Sequence, residues 1–219
     1  YGMLVNGGKK IVPSLIDRIQ DRKGATIYRH DIRPCDGCQF NHGWNDQPIP
    51  DLPDLRAQLT TPASAFQMVS MLEGVVKRGT GRRIANLDLV VAGKTGTTND
   101  NTNGWFIGFT PDLAVGVFVG YDTPRPLGKR ETGSTVAVPI FGEFIARAQA
   151  NRPVIPFRRP SGVTIIPVHA ETGERVLPTH AKAVMEVFKP GQRPGGDLID
   201  VPGTNPDVGG GEAATPGLF

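Results

Sequence analysis

Apolar residues recur along this chain with two periods, and each period marks a kind of element. Residues 14–21 and 25–30 are short segments carrying Ile and Leu, joined by Arg22, Lys23 and Gly24, which is turn chemistry and predicts a β-hairpin. Thr61 followed by Pro62 reads as an N-cap with proline at the first helical position, and a helix is expected to run to about Arg78. Its stripe of Ala65, Val69, Leu72 and Val76, with Phe66 and Met68 beside it, assigns one face to a core. Gly79 and Gly81 end it. Strands are expected over 87–97, 105–109 and, after the turn at Thr110, Pro111 and Asp112, over 113–121. The third reads as apolar on both faces, which predicts a central strand covered by helices. A helix over about 136–150, with Ile140, Phe144 and Ala148 spaced for one face and Phe141 and Ile145 beside them, suits that covering role. A small β-rich segment around 163–168, with a turn at Thr172 and Gly173, closes the patterned part of the chain.

Composition changes this picture in two places. Segment 31–58 holds Pro34, Pro48, Pro50, Pro53 and Trp44 in no period and reads as a long surface insertion. The chain's 28 Gly and 20 Pro also crowd the stretch after Lys189, which is too poor in apolar residues to offset its ordering entropy. The expected organisation is therefore a principal part over 1–150, a β-rich extension over 151–194 and a disordered tail over 195–219. The net charge of +3 comes from scattered residues. The pairs Lys9/Lys10, Arg82/Arg83 and Arg158/Arg159 are too short for a nucleic-acid footprint, so no nucleic-acid partner is expected. Cys35 and Cys38, flanked by His30 and His42, leave three readings open: a short-loop disulfide, which leads, a zinc site recruiting both histidines, and a redox motif without its usual strand and helix. The expectation is the disulfide, with no metal and no cofactor. His169 and His180 show no partner pattern and read as surface or structural residues.

The candidate chemistry lies at Lys94, Thr95, Gly96 and Thr97, on a predicted strand that enters a hairpin. An ammonium and two hydroxyls at a strand edge can bind a carboxylate, and free strand N–H groups can hold a developing oxyanion. Asp100 is expected to cap the hairpin turn through its side chain. Gly93, Lys94 and Thr95 also end a P-loop pattern, but Asp88 stands where its first glycine belongs and a strand, not a helix, follows. A Ser-x-x-Lys nucleophile is absent, because the residues three places after Ser14, Ser64, Ser70, Ser134 and Ser161 are Asp17, Gln67, Glu73, Ala137 and Thr164. A Ser-x-Asn is absent as well. The chain opens in mid-pattern at Tyr1, with no signal peptide and no membrane-length apolar run, and is read as the C-terminal piece of something longer.

Taken in order and spacing, Tyr1, Gly2, Asn6, Gly7 and Gly8, the helix ending in Arg78, Gly79, Thr80 and Gly81, the run from Ala92 to Asp100, and Trp105, Phe106, Gly108, Phe109, Thr110 and Pro111 resemble the transpeptidase domain of class A, bifunctional penicillin-binding proteins. Gly120, Tyr121 and Asp122 extend the resemblance, and residues 186–194 look like the family's common ending. It implies an α+β fold, part of a penicillin-recognising serine transpeptidase (β-lactamase-like) domain whose five-stranded antiparallel sheet is flanked by helices, with the N-terminal catalytic elements missing here. It also implies D,D-transpeptidase activity on peptidoglycan stem peptides ending in D-Ala-D-Ala, acylation by β-lactams, and the missing N-terminal part of the same protein as a structural partner. The location implied is the periplasmic side of the bacterial inner membrane, with an anchoring span outside this chain. Lys94 would support the serine of the Ser-x-Asn element. The hydroxyls of Thr95 and Thr97 would bind the terminal carboxylate, the Thr97 N–H would be one oxyanion donor, and Gly96 would permit close approach. The isolated chain, lacking the nucleophile, is expected to be inactive. Asn103 and Gly104 depart from the Asp and Ala the family often carries before Trp105. Two alternatives stand beside this reading: a serine β-lactamase-like hydrolase, and a non-catalytic binding module.

Overall fold

The structure, a computed structural model, describes residues 1–30 and 52–195. The expectations for Cys35 and Cys38, most of the 31–58 insertion and nearly all of the 195–219 tail lie outside the described residues. The chain divides into two compact units, Tyr1–Ser161 and Gly162–Phe219.

In the first unit, α1 (Gly2–Val5) leads into a hairpin of β1 (Arg18–Gln20) and β2 (Thr26–Arg29), shorter than the sequence pattern suggests. Its turn is tied by Asp21, whose Oδ1 accepts from the N–H groups of Lys23 and Ala25. Gly24 takes φ +84°, the left-handed conformation the turn requires. Where this excursion leaves and rejoins the unit, Lys9 and Gln58 form an antiparallel bridge, and Lys10 N–H donates to Ala57 O. Asp54 accepts there from both Lys9 and Arg56 at 2.7–2.8 Å, and the hydrogen bonds from these two cations hold its carboxyl far below the usual carboxylate range.

α2 (Pro62–Arg78) begins as expected: the Thr61 hydroxyl accepts from Ser64 N–H at 3.2 Å. It buries Ala65, Val69, Leu72, Gly74 and Val76, leaving Met68 exposed. A short 3-10 turn, Arg82–Ile84, follows. β3 (Ala92–Thr97), β4 (Asn103–Phe109) and β5 (Ala114–Gly120) then form an antiparallel sheet in the order β3-β4-β5. The expected strand over 87–97 starts only at Ala92; Leu87 and Leu89 instead pack against the core in irregular backbone.

β5 corrects a second expectation, for among the described strands it lies at an edge, and β4 is central. Its burial alternates, with Val115, Val117 and Val119 packed on the core and Ala114, Gly116 and Phe118 exposed. Two of those outward residues are too small to require cover, so apolar character on both faces did not specify two-sided burial. A π-helical turn, Gly133–Ala137, leads into α3 (Val138–Ala148). Here too the face differs: α3 buries Val138, Phe141, Gly142 and Ile145, and half-exposes Ile140 and Phe144. With apolar residues on most sides of this helix, spacing alone does not select the inner one.

Two clusters fill the unit. On one side of the sheet Val76, Ile84, Val91, Phe106, Ala137, Val138, Phe141 and Ile145 pack together, with Phe106 and Phe141 edge to face at 4.9 Å. Val69, Leu72, Ala92, Phe109 and Phe157 form the other. The second unit contains the antiparallel pair β6 (Thr164–His169) and β7 (Ala183–Phe188), with Val163, Val168, Val176 and Val187 buried. The rings of His169 and His180, eleven positions apart, meet there at 5.3 Å, which neither residue's local sequence signals. No helix among the described residues is long and apolar enough to cross a membrane.

Candidate functional site

The site grows from the parity of one strand. β3 pairs only with β4 among the described residues, in the register Lys94↔Ile107, Thr95↔Phe106, Gly96↔Trp105 and Thr97↔Gly104. Just past its end, Thr98 N–H donates to Asn103 O at 3.2 Å, which makes this a hydrogen-bonded pair. Such pairs alternate in an antiparallel ladder, so Gly96 and Lys94 turn their main-chain groups toward β4, and Thr95 and Thr97 turn theirs to the open edge. That open edge is a row of backbone donors and acceptors available to an added strand.

Side chains alternate as well. Ala92, Lys94 and Gly96 share one face with Trp105, Ile107 and Phe118, and Gly93, Thr95 and Thr97 share the other with Phe106. Lys94 is exposed, its Nζ donates to Thr95 O at 3.0 Å, and among the described residues no carboxylate pairs with it. Beside it Trp105 and Phe118 pack with their ring centroids 4.7 Å apart and their planes tilted by 47°, both substantially exposed. A Cβ at Gly96 would stand 3.2 Å from Trp105 Cβ, a tight contact that the sequence alone did not reveal.

On the opposite face both threonine hydroxyls have fixed partners. Thr95 Oγ1 lies 2.7 Å from Thr80 Oγ1, just beyond the end of α2. Thr97 Oγ1 accepts from Gly133 N–H at 3.0 Å, in the first residue of the π-helical turn. Ser134 Oγ donates to Thr80 O at 2.6 Å, so the two supporting segments are themselves joined. Gly133 lies so close to the sheet that a Cβ would meet Gly96 O and Trp105 O well inside contact distance. Thr80, Gly133 and Ser134 are the residues that sequence reasoning missed. Thr80 and Gly133 stand 15 and 36 positions from their β3 partners and Ser134 stands 54 from Thr80, and only the Arg-Gly-Thr-Gly run hinted at one of them.

The hairpin that ends β3 turns through Asp100 and Asn101, both at positive φ (61° and 52°), which these two residue types tolerate better than most. The capping side chain is Thr98, not Asp100: its Oγ1 accepts from Asn103 N–H at 2.9 Å and contacts Thr102 Oγ1 at 2.7 Å. A cavity of about 420 Å³, lined by Leu4, Phe66, Val69 and Phe157 with the Lys9–Asp54–Arg56 cluster at its side, includes none of the candidate residues. His169 and His180 belong to the second unit and take no part in this arrangement. Chemically, the strand offers one cation, two oriented hydroxyls and an unpaired backbone edge, a set suited to an anionic peptide terminus.

Comparison with known proteins agrees with this architecture. The penicillin-binding protein 1A of Rickettsia bellii (strain RML369-C) is 45% identical over 166 residues, covering 75% of this chain and 21% of that protein. The penicillin-binding protein 1A of Pseudomonas aeruginosa is 33% identical over 249 residues, covering 95% of this chain and 30% of its own length. The chain thus spans less than a third of either relative. The crystal structure of penicillin-binding protein 1A from Haemophilus influenzae superposes with a TM-score of 0.66 at 25% identity, covering 88% of this chain and 31% of that one. Residues 1–146 match the family described as the penicillin binding protein transpeptidase domain, and the chain, with its α+β architecture and its Lys94-Thr95-Gly96-Thr97 strand, belongs to that family.

Proposed function

We propose that this chain supplies the substrate-binding strand of a peptidoglycan D,D-transpeptidase. The observation that carries the reading is the edge of β3 that no described strand pairs with, where the main-chain N–H groups of Thr95 and Thr97 face outward and the Lys94 ammonium lies against the Thr95 carbonyl. A stem peptide ending in D-Ala-D-Ala adds to this edge by backbone hydrogen bonds, and its terminal carboxylate is received by the hydroxyls of Thr95 and Thr97. The Thr97 N–H is one oxyanion donor, and Lys94 supplies positive potential to the cleft. Bond making requires a serine that this chain does not contain. That serine attacks the D-Ala-D-Ala carbonyl, D-alanine leaves, and an acceptor amine then takes the acyl group. β-Lactams acylate the same serine. The parent protein, working on the periplasmic side of the inner membrane, provides the nucleophile and the opposite wall of the cleft.

This reading is tested with a fluorescent penicillin. The full-length protein is expected to be labelled covalently and the isolated 219-residue chain to remain unlabelled. In the full-length protein Lys94→Ala is expected to slow acylation by roughly a hundredfold or more, the scale of losing one preorganised electrostatic group. Labelling of the isolated chain, or equal acylation of wild type and Lys94→Ala, would refute it.

A further inference from the structure

We propose that Thr80 is a positioning residue that makes the Thr95 hydroxyl an oriented donor toward an anionic ligand, and that Ser134 holds Thr80 in place for this task. The inference rests on the acyl-transfer reading above and adds a residue to it.

A hydroxyl has one proton and can accept from more than one direction, so its use to an anion depends on where that proton points. At Thr97 the direction is fixed by chemistry. Gly133 N–H can only donate, so Thr97 Oγ1 accepts from it and keeps its own proton for another partner. At Thr95 the same role falls to Thr80, whose Oγ1 is 2.7 Å away. With Thr80 donating, Thr95 Oγ1 is an acceptor on that side, and its proton is released toward the ligand. Linked hydroxyls of this kind polarise one another, which strengthens the terminal donor. The two threonines, neighbours on one face of β3, then present two protons to one carboxylate, each backed by a donor from outside the strand.

The backing is built, not incidental. Thr80 lies beyond the end of α2 between Gly79 and Gly81, whose N–H groups both donate to Val75 O, and Ser134 Oγ adds a bond to its carbonyl at 2.6 Å. Gly133 and Ser134 are adjacent in one π-helical turn, so a single turn sets both supports. Thr132 and Thr135 anchor that turn through a reciprocal capping box. A merely structural brace would need neither the hydroxyl on Thr80 nor its contact with a second hydroxyl, since valine has nearly the same shape.

The test uses the full-length protein and two probes that differ at the carboxylate alone, benzylpenicillin and its methyl ester, in which the charge is removed and a methyl group added. Thr80→Val is expected to slow acylation by benzylpenicillin roughly tenfold, the scale of one lost hydrogen bond to a charged group, while leaving the ester rate unchanged. Thr80→Ser, which keeps the hydroxyl, is expected to restore the wild-type rate to within about twofold. Ser134→Ala is expected to lower only the benzylpenicillin rate, by roughly threefold, and it carries the same test should Thr80→Val fail to fold. An equal loss on both probes, no loss on either, or a serine variant as slow as valine would overturn the role given to Thr80. Failure of the wild-type protein to be acylated by either probe would overturn the acyl-transfer reading and this role with it.

Discussion

The β1–β2 hairpin and the β3–β4–β5 sheet are built from similar material, short apolar-bearing strands joined by tight turns, yet they end in opposite states. Every residue of β1 and β2 is exposed, with Ile27 at 68%. In the sheet, Ala92, Phe106 and Phe109 are wholly buried. The difference is support from outside the strands. Among the described residues the two strands of the hairpin rest on their own turn and ladder, which for two strands in water is a marginal arrangement. The sheet has α2 against one side and α3 with the π-helical turn against the other, while the border of β3 and the Lys94, Trp105 and Phe118 patch beside it stay open. An exposed strand border can therefore be held in place when elements from outside the sheet pack against it, and a fixed border is what a binding edge needs.

Variants can break this contrast in order of effect. Phe106→Ala empties the centre of the α3-side cluster and is expected to cost the chain about 3–5 kcal/mol in urea unfolding, enough to abolish most of a small domain's stability. Thr61→Ala removes the hydroxyl that starts α2 and is expected to cost about 1 kcal/mol, with Thr61→Ser recovering it. Ile27→Ser, on the exposed hairpin, is expected to change stability by no more than about 0.5 kcal/mol. A large loss from Ile27→Ser would mean that the hairpin is covered in solution, and the contrast would fail.

Much of this was legible in the chain itself because local signals were strong. The Thr61-Pro62 start of α2 and its stripe at Ala65, Val69, Leu72 and Val76 appear as read. So does the placement of Lys94, Thr95, Gly96 and Thr97 on a strand entering an antiparallel hairpin. What failed to show was whatever depends on distant neighbours. Leu87 and Leu89 are apolar enough for a strand but lack a partner strand to pair with, and they serve as packing instead. Both faces of β5 and of α3 looked suited to a core, and only the assembled structure selects Val115, Val117 and Val119, or Val138, Phe141 and Ile145. The hydroxyl contact between Thr80 and Thr95 was invisible for the same reason, since a threonine in a loop carries no mark of what it touches.

The bridge of Lys9 and Gln58 gives the molecule a neck. Chain that departs after it and returns before it is fastened at both ends to the same point, so lengthening or shortening that excursion alters its closure entropy only slowly and transmits little strain to α2 or to β3 beyond it. A protein engineer seeking a place to graft an epitope or an affinity tag would find it at the exposed turn over Arg22, Lys23 and Gly24, provided the pairing at the neck is kept.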